Sequence, residues 1–270
     1  MKEKGIIHYG NACRKILEQL KAACTNILSA NLTGIYLHGS LALGCFNWDK
    51  SDIDFIVVTR TAPTQMEKEK LIKDLLKIDR ISPPKGLEMS IVLEKYCRNF
   101  TYPTQFELHF SNAHKQSCCD DVSGYCARMN GTDQDLAAHF TIIRKAGITL
   151  YGETADTLFG DVPKADYLDS LKSDVKNAVE EIGENPVYLI LNLCRVCAYS
   201  KEGAILSKQQ GAHWGLKNLP SRYASLIRSA EDSYSNAEES YGSTEPFSAD
   251  GGIELLEDFA RSMVTEIFGQ

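Results

Sequence analysis

Two aspartates at the start of an apolar segment are the residues of this chain best suited to chemistry. Asp52 and Asp54 alternate with Ile53 and Phe55. Because successive side chains of a β-strand point to opposite faces, both carboxylates are predicted to lie on one face. Neighbouring carboxylates repel each other, and burying them unpaired is costly. A divalent cation removes that cost, and Mg²⁺ bridges such oxygen ligands to substrate phosphates. The pair therefore predicts a magnesium site.

A glycine–serine pair stands shortly before these aspartates. Gly39 and Ser40 close a predicted apolar strand that begins at Gly34. A glycine lets the backbone approach a ligand closely, and the turn offers free N–H donors and a hydroxyl group. A phosphate needs these groups, so the turn is predicted to bind one beside the metal site.

The bulk composition narrows the class of protein. The chain has 270 residues, 43% of them hydrophobic and 24% charged, which is ordinary for a globular protein of one large or two medium domains. A net charge of −7 without a basic stripe argues against a nucleic-acid partner and is compatible with a cationic small-molecule substrate. No apolar run approaches the ~20 residues of a membrane span, and residues 1–5 contain no signal-peptide core. We therefore expect a cytoplasmic protein without a membrane partner.

The cysteines also fit the cytoplasm. There are nine of them, an odd number, and none falls in a paired C-x-x-C array. Reduced thiols explain this distribution better than disulfides or structural zinc.

The hydrophobic spacing predicts two domains of different class. Apolar residues recur with a helical period over 9–28, 66–78 and 134–146, and predicted strands lie between them. After residue 152 alternating segments are almost absent: helices are predicted through 168–182, 186–199 and 252–268, and a mobile loop over 231–251. The predicted fold is an α/β (or α+β) domain over residues 1–155 and an all-α helical-bundle domain over residues 156–270.

The spacing of the Gly-Ser turn and the Asp-x-Asp segment resembles the signature of the DNA polymerase β-like nucleotidyltransferase superfamily. The resemblance implies a mixed sheet and a third carboxylate from a neighbouring strand, for which Glu88 is the candidate. It also implies that Asp52, Asp54 and Glu88 are catalytic and bind Mg²⁺. The alternative is a glycine turn before an aspartate N-cap, with Glu88 an ordinary exposed strand residue. Aspartate is depleted from strands, which disfavours that alternative.

Further motifs resemble the bacterial aminoglycoside adenylyltransferases that modify streptomycin and spectinomycin at the 3″ and 9 hydroxyls. The resemblance runs from about residue 9 to residue 268. The motifs are Tyr36–Ser40, Tyr102–Phe110, Asp135–Ala137, Ile148–Gly152, Leu191–Arg195, Ser207-Lys208 and Ala212–Trp214.

This resemblance implies roles for individual residues. Lys208 would reach a terminal phosphate from the helical domain, and Arg195 matches a family arginine for which a structural ion pair is the alternative. Glu107 and Asn185 fall on the acceptor side. The residues expected to contact ATP are Gly39, Ser40, Ser51, Arg195, Lys208 and Tyr234.

Two departures from the family pattern concern the acceptor. Ala113 stands where the family often has a tryptophan that packs on streptomycin, and Asn185 stands where it has an acidic residue. An asparagine cannot give a guanidinium group the charge-assisted hydrogen bond that an aspartate gives. The sequence therefore favours spectinomycin over streptomycin.

The expected reaction is transfer of AMP from ATP to a hydroxyl of an aminoglycoside-type antibiotic, with release of pyrophosphate, by a monomeric enzyme. One alternative keeps the fold but modifies a protein, a nucleotide or another small-molecule hydroxyl; the long helical domain favours a small molecule. A second is a non-catalytic nucleotide-binding module, which the presence of all three carboxylates disfavours. A metal-dependent phosphohydrolase is a poorer choice, because the six histidines are scattered and His38 is predicted to pack.

Overall fold

The computed structural model describes residues 10–235, 247 and 252–269. These residues form two compact units, the first ending at Pro163 and the second beginning at Lys164. The sequence placed the division after residue 155. In the structure Ala155 and Leu158 are buried in a core cluster of the first unit, so the boundary follows them.

The described part of the first unit contains two β-sheets. Its strands are β1 (Leu32–Leu37), β2 (Ile53–Thr59), β3 (Leu87–Leu93), β4 (Thr104–Phe106), β5 (Leu108–Phe110), β6 (Gly131–Asp133) and β7 (Ile148–Gly152). The larger sheet has the order β5-β3-β2-β1-β7, and β4 pairs with β6 in the smaller one.

The larger sheet is mixed, as the sequence predicted. β2 and β3 run parallel, and the other neighbouring strands run antiparallel. In the parallel pair Asp54 lies opposite Glu88 and Ile56 lies opposite Ser90. Since alternate residues of a strand share a face, this register puts Asp54 and Glu88 on the same face of the sheet.

Helices cover both faces of this sheet. Those of the described first unit are α1 (Asn11–Leu28), α2 (Gly39–Leu43), α3 (Gln65–Asp79), α4 (Glu94–Arg98), α5 (Lys115–Asp120), α6 (Val122–Arg128), α7 (Leu136–Ala146) and α8 (Ala155–Leu158). α3 begins at a capping box, in which Thr64 accepts from the Glu67 N–H and the Glu67 carboxylate accepts from the Thr64 N–H.

The two faces bury alternate residues of β2. Phe55 and Val57 pack in a core cluster with residues of α1 and α3. Ile56 and Val58 pack in a second cluster with residues of α7 and α8. Asp54 lies on the same face as Ile56 and Val58. The carboxylates of Asp54 and Glu88 therefore lie on the side of the sheet that α7 covers, next to the apolar cluster.

The second unit is helical throughout its described residues. Its helices are α9 (Lys164–Val175), α10 (Ala178–Glu181), α11 (Pro186–Glu202), α12 (Lys208–Asn218), α13 (Ala224–Ser235) and α14 (Gly252–Phe268). α11 is the most buried of them and packs against α9, α12, α13 and α14. Pro186 opens it and Gly203, with φ of +66°, ends it. The two units together confirm the predicted fold class.

Two details differ from the sequence prediction. The apolar stripe at 168–182 is divided between α9 and α10, with Asn177, a poor helix former, at the break. Residues 231–235 of the predicted loop belong to α13, while 236–246 and 248–251 lie outside the described residues.

No described helix is both long and apolar enough to cross a membrane. The nine cysteines all fall within the described residues, and each is a free thiol.

Replacing Gly152 by alanine should destabilise the first unit. Gly152 has φ of +90° and pairs with Gly34, and an added Cβ would overlap the Thr33 carbonyl oxygen. Backbone strain and this overlap are expected to lower the free energy of unfolding by about 2–4 kcal/mol, measured by denaturant titration.

Gly183→Ala is the matched control, because no described atom lies within 4 Å of a Cβ added there. It should stay within about 0.5 kcal/mol of the wild type. Equal losses in the two variants would contradict the predicted clash.

Candidate active site

Three carboxylates converge where β2 and β3 begin. Asp52 immediately precedes β2, while Asp54 and Glu88 are opposite each other in the parallel pair. Each offers an oxygen, and these oxygens all lie within 4.8 Å of one another. The structure thus brings together the three residues that the sequence analysis assigned to magnesium.

Burial makes the Glu88 anion unfavourable. Desolvation is the main cause that raises the pKa of Glu88 to about 7; His139 acts against it, and Asp52 adds to it. A divalent cation would offset both the desolvation and the repulsion among the carboxylates. The donor set, three carboxylates of which one is destabilised as an anion, therefore fits a Mg²⁺ ion.

The Gly-Ser turn lies directly against this cluster. Gly39 has φ of +57°, and a Cβ added to it would overlap Asp54 Oδ2. The absence of a side chain therefore lets the turn approach the carboxylate. Ser40 Oγ is buried and has no hydrogen-bond partner among the described residues. An unpaired buried hydroxyl beside a metal-binding cluster fits a phosphate ligand.

Three polar residues lie near Asp52: Lys50, Ser51 and Lys85. Ser51 Oγ accepts from the Asn47 N–H at 3.1 Å, which closes the loop before β2. Lys50 is buried. Burial lowers the pKa of the half-buried Lys85, and the charges of Asp52 and Asp54 oppose that shift. Lys85 therefore places a positive charge near the carboxylates. The sequence analysis did not assign Lys85 to the site.

A histidine pair adjoins the cluster on the α7 side. His139 Nε2 lies 3.1 Å from Asp135 Oδ2, and the His139 ring packs on the His38 ring with centroids 4.3 Å apart. Burial alone would lower the pKa of His139, but Asp135, Glu88 and Asp54 outweigh it and raise the pKa to about 10. Burial, then His139, holds the pKa of His38 well below its usual value. These opposite shifts in pKa favour the cationic form of His139 and the neutral form of His38.

A further polar pair continues along the face of Glu88. Ser90 Oγ and His109 Nδ1 are 2.9 Å apart, on the neighbouring strands β3 and β5. Burial, followed by His114, lowers the pKa of His109 to about 4. Glu107, predicted on the acceptor side, lies 3.9 Å from Lys68 Nζ and is not part of the three-carboxylate cluster.

In the second unit three predicted residues form two separate groups. The ammonium group of Lys208 lies 4.8 Å from the ring centroid of Tyr188 and 5.8 Å from that of Tyr234. Arg195 donates to Asn192 Oδ1 at 2.8 Å and to the Leu206 carbonyl oxygen at 3.0 Å. The groups that accept hydrogen bonds from Arg195 are thus neutral. The sequence analysis had considered a structural ion pair as the alternative to an ATP contact.

The two acceptor-side departures fall in different units. Ala113 lies in the 3₁₀ turn Asn112–His114 that precedes α5. Asn185 immediately precedes α11, and its side chain makes no capping hydrogen bond within the described structure.

Sequence reasoning missed the histidine pair. Asp135 was noted only as part of a family motif, and His139 follows it at the i+4 spacing that places two helix residues on one face. That spacing was the available signal. The ring contact with His38 joins residues far apart in sequence, and no local pattern reports it.

Comparison with known families assigns a domain to most of each unit. Residues 14–105 match the nucleotidyltransferase domain, and residues 157–266 match the aminoglycoside adenylyltransferase C-terminal domain. The chain therefore combines a nucleotidyltransferase domain with the C-terminal domain found in aminoglycoside adenylyltransferases. This confirms the resemblance that the sequence motifs indicated.

Several aminoglycoside adenylyltransferases are similar to this chain along most of their length. Spectinomycin 9-adenylyltransferase of Staphylococcus aureus is 24% identical over 213 residues, which are 77% of this chain and 80% of the relative. Aminoglycoside (3″)(9) adenylyltransferase of Rhizobium radiobacter is 24% identical over 223 residues, which are 80% of this chain and 79% of the relative.

A solved structure supports the fold. Spectinomycin adenyltransferase AAD(9) of Enterococcus faecalis, crystallised with ATP and spectinomycin, matches with a TM-score of 0.75 and 20% identity. The match covers 93% of this chain and 98% of that one.

The approach of Gly39 to Asp54 gives a prediction about metal binding. Gly39→Ala should displace the Asp54 carboxylate and weaken Mn²⁺ binding by about tenfold or more, equivalent to about 1.4 kcal/mol. Mn²⁺ affinity can be measured by electron paramagnetic resonance.

Gly44→Ala supplies the control. Gly44 also has positive φ, +73°, but no described atom lies within 4 Å of a Cβ added there. It shares the backbone strain without the overlap, so its Mn²⁺ affinity should match that of the wild type. A similar loss in both variants would mean that strain, not the carboxylate, controls affinity.

Proposed function

We propose that this protein transfers AMP from ATP to a hydroxyl group of an aminoglycoside-type acceptor and releases pyrophosphate. The observation that carries the proposal is the cluster of Asp52, Asp54 and Glu88 within 4.8 Å. The cluster lies beside a Gly-Ser turn, in a chain that combines a nucleotidyltransferase domain with the C-terminal domain found in aminoglycoside adenylyltransferases. The relatives named as spectinomycin and aminoglycoside adenylyltransferases support the same acceptor class.

Asp52, Asp54 and Glu88 would hold Mg²⁺, which supplies charge neutralisation on the phosphates and on the leaving pyrophosphate. The protein itself orients ATP through the Gly39–Ser40 turn, whose unpaired Ser40 Oγ can donate to a phosphate oxygen. Ser51 would contact the triphosphate from the loop before β2. The positive charge of Lys85 favours the same anion.

Glu88 is the base in this proposal. It accepts the proton of the attacking hydroxyl, which requires hydrogen-bond reach and an ionised carboxylate. Burial raises the pKa of Glu88 to about 7 in the metal-free protein, which disfavours the ionised form. Binding of the cation favours the ionised form that the reaction needs.

The second unit would contribute to ATP binding. Lys208 is held between the rings of Tyr188 and Tyr234, which favours one direction for its ammonium group. We infer that this group contacts a terminal phosphate and that Tyr234 contacts ATP. Arg195 supports α12 through the Leu206 carbonyl, just before the Ser207 capping box of that helix.

We further propose that spectinomycin is preferred as the acceptor. Ala113 lacks the aromatic ring that the family often has at this position, and Asn185 lacks the negative charge. Both differences are expected to weaken the binding of streptomycin, which carries guanidinium groups, more than that of spectinomycin. Glu107, whose carboxylate lies 3.9 Å from Lys68 Nζ, is the side chain that we propose to contact a cationic acceptor. We propose that the enzyme is a monomer. Its acceptor is a small molecule, and it has no nucleic-acid partner.

Product analysis tests the function directly. Purified protein is incubated with ATP, Mg²⁺ and a panel of aminoglycosides and spectinomycin, and the products are weighed by mass spectrometry. A gain of one adenylate confirms the reaction class. ATP binding without any adenylated product, across the panel and a set of protein acceptors, would favour the non-catalytic module.

Glu88→Gln should stop turnover while ATP binding remains. The amide keeps the size of the side chain but cannot accept the hydroxyl proton, and loss of a general base lowers kcat by about 10²–10⁴-fold. Pyrophosphate release and ATP calorimetry measure the two effects separately.

Glu94→Gln is the matched control. Glu94 follows the same strand but bonds to Thr33 and Arg98, away from the cluster. Near-wild-type kcat is expected for it. Retention of kcat by Glu88→Gln would assign the base to another residue.

Lys208→Ala should raise the dissociation constant of ATP and leave the protein folded, because Lys208 is only partly buried and is not a core residue. Lys217→Ala, at the other end of α12, removes the same charge from an exposed position and should bind ATP normally. If calorimetry gives the same ATP affinity for the two variants, Lys208 does not contribute to ATP binding.

Steady-state kinetics should show a higher kcat/KM for spectinomycin than for streptomycin. A buried aromatic contact contributes about 2 kcal/mol or more, so its loss at position 113 weakens streptomycin most. Ala113→Trp combined with Asn185→Asp should recover part of the streptomycin activity. Equal efficiency of the wild type on both drugs would show that the acceptor pocket uses other residues.

A further inference from the structure

The His38–His139 contact joins α7 to the turn that follows β1. The two ring centroids are 4.3 Å apart with the planes tilted by 34°. His38 is 3% exposed, and the His139 side chain is 16% exposed. The contact is therefore part of the interior of the first unit.

His139 is anchored at its other side. Asp135, one helical turn earlier, lies 3.1 Å from Nε2, and its side chain is 58% exposed. His139 Nδ1 is buried and has no hydrogen-bond partner in the described part of the chain. A leucine would fill this space without an unpaired polar atom, whose burial costs free energy. The imidazole therefore calls for an explanation beyond packing.

His38 connects the pair to the phosphate-binding turn. Its backbone N–H donates to the Asp54 carbonyl oxygen at 3.0 Å. The next residue, Gly39, touches the Asp54 carboxylate, and Ser40 carries the unpaired hydroxyl. The backbone of the turn is thus held by Asp54 on one side, while the His38 side chain is held by His139 on the other.

We propose that His139, oriented by Asp135, is a positioning residue that fixes the Gly39–Ser40 turn for ATP through the ring of His38. The proposal rests on the proposed function, since it assigns ATP to that turn. His139 itself need not touch the nucleotide. Its contribution is to hold His38, and with it the backbone N–H groups and the Ser40 hydroxyl, in the geometry that the phosphates require.

Three substitutions separate this role from general stability. His139→Leu removes the aromatic ring, His139→Phe keeps a ring in contact with His38, and Asp135→Asn weakens the anchor at an exposed position. Ile143→Ala is the matched control, because it truncates another buried residue of α7, outside the His38–His139–Asp135 contact. Calorimetry with a non-reactive ATP analogue and Mg²⁺ gives affinity, and kinetics gives the KM of ATP and of the acceptor.

The expected result is selective loss of ATP affinity. His139→Leu should raise the dissociation constant of the analogue by about tenfold, equivalent to about 1.4 kcal/mol, and leave the acceptor KM unchanged. His139→Phe should restore affinity to near the wild-type value, and Asp135→Asn should fall between His139→Leu and the wild type. Ile143→Ala should lower the melting temperature without changing ATP affinity.

Wild-type affinity in both His139→Leu and Asp135→Asn would overturn this inference and leave the proposed function standing. Equal losses in His139→Leu and Ile143→Ala would do the same. Equal losses in His139→Leu and His139→Phe would also overturn the inference, because ring contact would then not be the cause. Failure of the wild-type protein to bind the analogue at all would overturn the proposed function as well.

Discussion

Repulsion among three carboxylates on one sheet face is the constraint on which the rest of the first unit depends. Asp52, Asp54 and Glu88 have oxygens within 4.8 Å of each other, which a protein without a compensating cation would not maintain cheaply. Their position is fixed by the parallel pairing of β2 and β3. A shift of one residue in that pairing would turn Glu88 to the other face, into the apolar cluster beneath α1 and α3.

The surroundings of the cluster supply partial compensation. Lys85 approaches from the loop before β3, and the cationic His139 approaches from α7. Neither replaces a divalent ion, because the pKa of Glu88 remains raised. Part of the repulsion among the carboxylates therefore remains uncompensated, which fits the proposal that the site binds a metal ion together with a triphosphate.

The sequence predicted the parts of the site that local patterns encode. Alternation placed Asp52 and Asp54 on one face, and glycine chemistry identified the turn at Gly39. The family resemblance supplied Glu88, which no spacing rule links to Asp54. The ring contact of His38 with His139 was missed, and His38 was predicted only to pack, because tertiary contacts between distant segments leave no local signal. The break between α9 and α10 was missed since apolar periodicity continues across it.

The raised pKa of Glu88 has a thermodynamic consequence for ligand binding. Because burial raises this pKa, the metal-free protein keeps a proton on Glu88 to a higher pH than an exposed glutamate does. Coordination of a cation requires the ionised form, so binding expels that proton into the solvent. The measured heat of binding will then include the heat with which the buffer takes up the proton. The same complex will show different apparent enthalpies in phosphate and in Tris, although its structure is unchanged.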